Sequence, residues 1–434
     1  MPATLFTHCT LFPGAWSAVI DNAFILVEDS RIAAIGPMPE TPPPGTARVI
    51  DVGGKLVMPG LVNAHAHGAM TLFRGMADDL ALHTWLHDHI FPAEARCISP
   101  EMVYWSTKLA AAEMILSGTT CVADAYFFSA MSGQALSDCG LRAVIGHGIV
   151  DFPVPSVPDP AKNVATVAAF IAEWQGKEPL ITPAVFAHSP YTCSPSTLAR
   201  SCRLAEETGA RFFVHVAESR NEIDMIIDPR GTSPVRHLAA LGLLGDNTVC
   251  VHGVWLDDHD LDLVGRSGSR IVTCPQSNMK LASGIARVPD MLRHRITVGL
   301  GTDGCASNNS LDMFREMDML AKIQKVAGGD ATSLPAQAAL HSATTAGAAL
   351  LGLPEIGRLD PGSRADLIVL DLNRPHLTPF YHPDLLVYAA SGADVDTVMV
   401  DGRLLMEGRR ILSFDVDEAK ARVKALARTA QPAG

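Results

Sequence analysis

Two patterns of hydrophobic and polar positions divide the chain. In residues 3–60 the apolar runs are short and broken by turns: Ala23-Phe24-Ile25-Leu26-Val27 and Arg31-Ile32-Ala33-Ala34-Ile35 flank Glu28-Asp29-Ser30, a hairpin signal. Thr41-Pro42-Pro43-Pro44-Gly45 then interrupts the pattern before the next strand. From Leu61 onward the chain repeats strand, loop and helix. Strands are predicted at 61–65, 119–124, 141–149, 180–187, 211–216, 248–252, 270–274 and 296–301, with helices such as 101–117, 195–209 and 311–326 between them, their apolar residues three and four apart. Eight strands with helical crossovers predict a closed (β/α)8 TIM-type barrel, since a doubly wound sheet normally has fewer strands.

After about Leu353 strand character returns, in 365–371 and in Thr397-Val398-Met399-Val400, which turns through Asp401-Gly402 into Arg403-Leu404-Leu405-Met406. Residues 416–430 read as a helix. Because the two β segments bracket the barrel, they are expected to pair as one small discontinuous β-sandwich. The predicted organisation is therefore 1–60 for its first part, 61–353 for the barrel, and 354–434 for its second part plus the C-terminal helix.

Composition narrows the partners. With 48% hydrophobic and 18% charged residues the chain is globular, and no apolar run is long enough to cross a bilayer. Met1-Pro2-Ala3-Thr4-Leu5-Phe6 lacks the basic start and apolar stretch of a secretory signal, so a cytoplasmic protein is expected. The nine cysteines include no Cys-x-x-Cys and fit neither a disulfide framework nor a thiolate zinc site. A net charge of -12 without any Lys/Arg-rich run argues against nucleic acid and leaves a small neutral or cationic ligand.

The chemistry lies at the predicted strand ends, where barrel sites are built. Strand one ends in His65-Ala66-His67, strand four in His188, strand five in His215, strand six in His252 and strand eight in Asp303. Alone, each is more often structural, and an isolated His-x-His is no better than an even bet. Five of eight strands ending in His or Asp is hard to explain by packing. His65, His67, His215 and Asp303 fit one divalent ion, which lowers the pKa of a bound water from about 15.7 toward roughly 7. Glu218, three residues beyond His215, lies near enough to move protons.

In this order, His65-Ala66-His67, His215-x-x-Glu218, His252 and Thr302-Asp303-Gly304 resemble the mononuclear deaminase branch of the amidohydrolase superfamily. Gly60-Leu61-Val62-Asn63-Ala64-His65, Leu72-Phe73-Arg74-Gly75-Met76-Ala77-Asp78-Asp79-Leu80, Trp85-Leu86, Pro92-Ala93-Glu94, 277–284 and 301–309 bring the likeness closer to the 5′-methylthioadenosine/S-adenosylhomocysteine deaminase family, over nearly the whole chain. The resemblance implies hydrolytic deamination of an adenine nucleoside to the inosine-type product and ammonia. It implies one divalent metal per subunit, zinc first and iron(II) second, on His65, His67, His215 and Asp303. Glu218 would protonate the purine ring nitrogen, while His252 and Asp303 handle the proton of the attacking water. Glu94 would accept from the ribose hydroxyls, His188 would reach the nucleoside, and Trp85 would shield its 5′ side. Relatives also commonly associate, so a homo-oligomer is an expectation.

One position departs from that pattern. Where many relatives carry Arg-Gly at the end of strand three, this chain has His147-Gly148, with Arg142 five residues earlier. An Arg clamps a carboxylate at two points and a His does not, so 5′-methylthioadenosine and adenosine are favoured over S-adenosylhomocysteine, with His147 as a substrate-binding candidate. Two other readings remain open: a hydrolase of a free nucleobase or triazine on the same fold, and a barrel scaffold without catalysis.

Overall fold

The computed structural model describes residues 3–39, 48–226 and 231–430. The predicted break at 41–45 lies outside them. The strands are β1 (Thr4–Leu11), β2 (Ile20–Glu28), β3 (Arg31–Pro37), β4 (Arg48–Asp51), β5 (Lys55–Pro59), β6 (Leu61–His67), β7 (Thr119–Tyr126), β8 (Arg142–Ile149) and β9 (Ile181–Ala187). There follow β10 (Phe212–Val216), β11 (Thr248–His252), β12 (Arg270–Thr273), β13 (Val298–Leu300), β14 (Asp303–Gly304), β15 (Leu367–Asp371), β16 (Val395–Val400), β17 (Arg403–Glu407) and β18 (Arg410–Ile411).

They form two sheets. The first is parallel, in the order β13-β12-β11-β10-β9-β8-β7-β6-β14. It curls until its ends meet: β13 pairs with β12 and, two residues further on, β14 pairs with β6, Asp303 lying opposite Ala66. Close approach at that seam dictates a glycine, because a Cβ on Gly301 would sit 2.8 Å from the His65 carbonyl oxygen. Small and branched residues fill the inside, among them Val62, Ala64, Val144, Ala184, Val249 and Val251. Alternate positions such as Ile145, Val185, Val214 and Cys250 pack outward into the core shared with the helices.

The second sheet is mixed and joins the two ends of the chain. β5 pairs antiparallel with β15, from Lys55 opposite Asp371 to Pro59 opposite Leu367, and runs on through Gly60 into β6. Gly60 admits no side chain, since its Cβ would run into the Thr120 side chain. The expected pairing of the terminal segments is thus present as one hydrogen-bonded sheet with its own core of Phe6, Ile25, Val27, Val57, Leu367 and Met399. Arg142, at the start of β8, ties the sheets together: its guanidinium donates to Asp366 at 2.8 and 3.0 Å and to Asp401 at 2.9 Å. It is a structural clamp at the end of the strand opposite His147.

The C-terminal helix is Val416–Ala430, as the sequence predicts. Among the described residues no helix is long and apolar enough to cross a membrane.

Candidate active site

The strand ends converge. His65 Nε2 lies 3.4 Å from Asp303 Oδ1 and 3.4 Å from His215 Nε2, and His67 Nε2 lies 3.3 Å from the same Asp303 oxygen. Tetrahedral bonds of about 2.0–2.1 Å place neighbouring donors roughly 3.3 Å apart, so this spacing fits one small divalent ion. The tautomers fit as well. His67 Nδ1 lies 2.5 Å from the Ala125 carbonyl and His215 Nδ1 lies 2.8 Å from the His188 carbonyl. A proton on each Nδ1 leaves the Nε2 lone pair pointing inward. Burial lowers the His65 pKa to about 4 and the His215 pKa well below the ordinary value, so both rings are neutral, the form that ligates.

Asp303 is oriented from behind. Its Oδ2 accepts from the Ser277 hydroxyl at 2.6 Å and the Ser307 hydroxyl at 3.0 Å, which leaves Oδ1 for the histidines. Asp303 and His252 adopt positive φ angles, 60° and 76°. Non-glycine residues rarely do so, and here the turn aims both side chains into the cluster. Phe186 forms the floor, with its ring 5.0 Å from that of His215 and 5.8 Å from that of His65.

His252 stands close enough to join His65 and His215 as a donor. Its Nδ1 lies 3.0 Å from Asn278 Oδ1, so the N–H points there and Nε2 faces Glu218 Oε2 at 3.7 Å. Burial alone would lower the His252 pKa, but the Glu218 and Asp303 carboxylates and the bond to Asn278 raise it. Burial also raises the pKa of Glu218, and the Asp303 charge adds to that. A buried carboxyl of raised pKa facing an imidazole is a pair suited to moving protons.

Glu222 fixes the backbone under Glu218. Its carboxylate accepts the N–H groups of Ala217 at 2.7 Å, Glu218 at 2.6 Å and Ser219 at 3.0 Å. Ala217 turns through φ 54°, which swings the chain from β10 toward the cavity.

These groups open into a cavity of about 310 Å³ whose walls include Met70, Trp85, Phe127, Phe152, Val154 and Leu281. Trp85, Glu94 and His188 all line it. Glu94 lies on the helix Phe91–Cys97 of the segment over the barrel mouth and accepts from the Tyr126 hydroxyl at 2.6 Å. His188 Nδ1 lies 3.0 Å from the Thr192 hydroxyl.

His147 is the candidate that the structure does not bring to the cavity. Gly148 lines it instead, while His147 is buried with Nδ1 3.1 Å from the Ser129 hydroxyl and Nε2 3.5 Å from that of Ser156. The reason is strand parity: residues 144, 146 and 148 face inward and His147 faces the helices. Sequence reasoning missed Tyr126, Ser277, Asn278 and Glu222. Ser277 and Asn278 stood inside a quoted motif, and Glu222 stands one helical turn beyond Glu218.

Donors at metal-ligand spacing beside a buried carboxyl, on the carboxyl edge of a curled parallel sheet, define a metal-dependent hydrolase. The amidohydrolase family pattern matches residues 56–405, and the chain belongs to the amidohydrolase family. A 5-methylthioadenosine/S-adenosylhomocysteine deaminase of Syntrophobacter fumaroxidans is 47% identical over 95% of this chain and 94% of its own. A 5'-deoxyadenosine deaminase of Methanothermobacter thermautotrophicus is 44% identical over 89% and 90%. Among solved structures, an adenosine deaminase from Xanthomonas campestris with bound zinc superposes with a TM-score of 0.95, at 34% identity, covering 98% of both chains.

Proposed function

We propose that this protein hydrolytically deaminates an adenine nucleoside, with 5′-methylthioadenosine and adenosine as preferred substrates, releasing the inosine-type product and ammonia. The observation that carries the reading is one cavity lined both by His67, His215 and Asp303 and by a buried carboxylate, Glu94. His65, His67, His215 and Asp303 would hold a divalent metal, which would supply a nucleophile from water at neutral pH. Zinc is the proposed ion, in keeping with the imidazole-rich donor set and the zinc in the Xanthomonas relative.

Glu218 donates its proton to the purine ring nitrogen beside the reacting carbon, which neutralises the ring as that carbon is attacked. His252 and Asp303 accept the first proton that water gives up and return it to the leaving amine, and the second, lost as the carbonyl forms, restores Glu218. Glu94 accepts from the ribose hydroxyls, His188 contacts the nucleoside, and Trp85 covers the 5′ substituent. Among the described residues lining the cavity there is no lysine or arginine. A carboxylate tail such as that of S-adenosylhomocysteine has no cation to meet there, whereas a methylthio group meets apolar wall.

The catalytic unit is residues 61–353, read as a closed eight-stranded barrel in which β13 and β14 are halves of one strand. Residues 1–60 and 354–434 form the discontinuous sandwich beside it. Nine cysteines without a disulfide are in keeping with a reducing cytoplasm. The test is ammonia release from 5′-methylthioadenosine, adenosine, S-adenosylhomocysteine, adenine, guanine and cytosine at measured metal content. The first two are expected to be the best substrates. Equal turnover of adenine and its nucleosides would remove the nucleoside reading.

A further inference from the structure

Tyr126 stands at the end of β7, on the rigid edge of the barrel, and is 5% exposed. Its hydroxyl donates to Glu94 Oε1 at 2.6 Å, the one hydrogen bond that the Glu94 side chain makes among the described residues. Glu94 is itself only 7% exposed. An ionised carboxyl so buried is costly without donors, and it reverts to the neutral acid when they are lacking. As a neutral acid one of its oxygens becomes a donor, and it no longer offers acceptors to two neighbouring hydroxyls. Tyr126 occupies Oε1, and Glu94 itself lines the cavity.

We propose that Tyr126 is a positioning residue for ribose recognition: its hydroxyl holds Glu94 ionised and in a single orientation, and so sets the preference for a nucleoside with intact 2′ and 3′ hydroxyls. The inference rests on the reading of Glu94 as the ribose acceptor. It adds a dependence of substrate choice on a residue that touches Glu94 from the barrel side. Because Glu94 rides on the covering helix Phe91–Cys97 and Tyr126 on a strand, the bond also sets where that helix carries its carboxylate relative to the metal ligands.

The test uses the metal-loaded enzyme and two substrates, 5′-methylthioadenosine and its 2′,3′-dideoxy counterpart. Tyr126→Phe removes only the hydroxyl. It is expected to raise KM for 5′-methylthioadenosine about ten-fold or more, the worth of a hydrogen bond to a charged group, with kcat within about two-fold. KM for the dideoxy substrate is expected to stay as in the native enzyme. In a Glu94→Ala background the same change is expected to have no further effect on either substrate. Tyr126→His, whose ring N–H restores a donor, is expected to recover part of the ribose discrimination, and it carries the test if Tyr126→Phe does not accumulate as folded protein. Equal KM increases for both substrates, a fall in kcat for both, or unchanged discrimination in a folded Tyr126→Phe enzyme would overturn the proposal. If the native enzyme releases no ammonia from any adenine nucleoside, it is the deaminase reading that fails.

Discussion

The Nδ1 of His215 lies 2.8 Å from the backbone carbonyl of His188, and this bond turns the His215 Nε2 toward His65 Nε2, 3.4 Å away. The residue just past β9 thus fixes the tautomer of the proposed ligand on β10, so on this reading metal binding depends on the barrel edge as well as on the donors. His215→Ala should leave the ion underheld. Metal content after gel filtration should fall well below one per chain, and kcat/KM should drop by more than the about 10–100-fold that a supporting partner is worth. Full metal content and near-native activity in this variant would remove His215 from the ligand set.

Glu218 and Glu222 separate chemistry from placement. Glu218→Gln keeps the shape of the side chain but removes its ionisable proton. It should cost about 10²–10⁴-fold in kcat with metal content unchanged. Glu222→Gln puts an amide N–H against one of the three backbone N–H groups that its carboxylate accepts. Its kcat should fall about ten-fold or more by the loss of such bonds, with a smaller change in KM. Metal analysis, circular dichroism and steady-state kinetics on the two variants give the readout.

Burial lifts the Glu94 carboxyl to about 7, against the opposing effect of the Tyr126 hydroxyl. Below that pH the group is protonated and is a poor acceptor for ribose hydroxyls. KM for the nucleoside should therefore fall as pH rises through about 7 and level off above it. Glu94→Gln, neutral throughout, should lose this step and keep a raised KM. A native KM that is flat between about pH 6 and about pH 8 would contradict the assignment.

Arg142 and Asp366 are buried partners that join the two sheets, with Asp401 as a third member. Arg142→Met leaves the Asp366 carboxylate without that cation. The expected loss is about 3–5 kcal/mol in denaturant unfolding, the usual result of breaking a buried pair from one side. Activity per bound metal should be nearly unchanged at low denaturant, since the clamp lies at the end of β8 away from the site.

Much of the frame was legible because its cause is local. The short runs of apolar residues in Leu61–His67 and Phe212–Val216 mark strands whatever surrounds them, and the predicted strands overlap those observed. Strand eight was predicted as 296–301, but Gly301 and Thr302 interrupt it and Asp303 pairs separately with β6. That break follows from the close approach at Gly301, which depends on His65 more than 200 residues earlier. The Tyr126–Glu94 bond and the Asn278–His252 bond join helices to strands distant in sequence and leave no periodic trace. His147 was misplaced for a different reason: family correspondence was followed where strand parity, with Gly146 and Gly148 facing inward, points its ring away from the cavity.

The central claim is metal-dependent removal of the amino group from an adenine nucleoside, and it is tested most directly by ammonia release from 5′-methylthioadenosine across chelation and reconstitution. The account predicts one ammonia and one inosine-type product per nucleoside consumed, loss of turnover when the metal is stripped, and its return when one zinc per chain is restored. Undiminished turnover in the stripped protein, or no ammonia from the nucleoside with zinc fully bound, would contradict it.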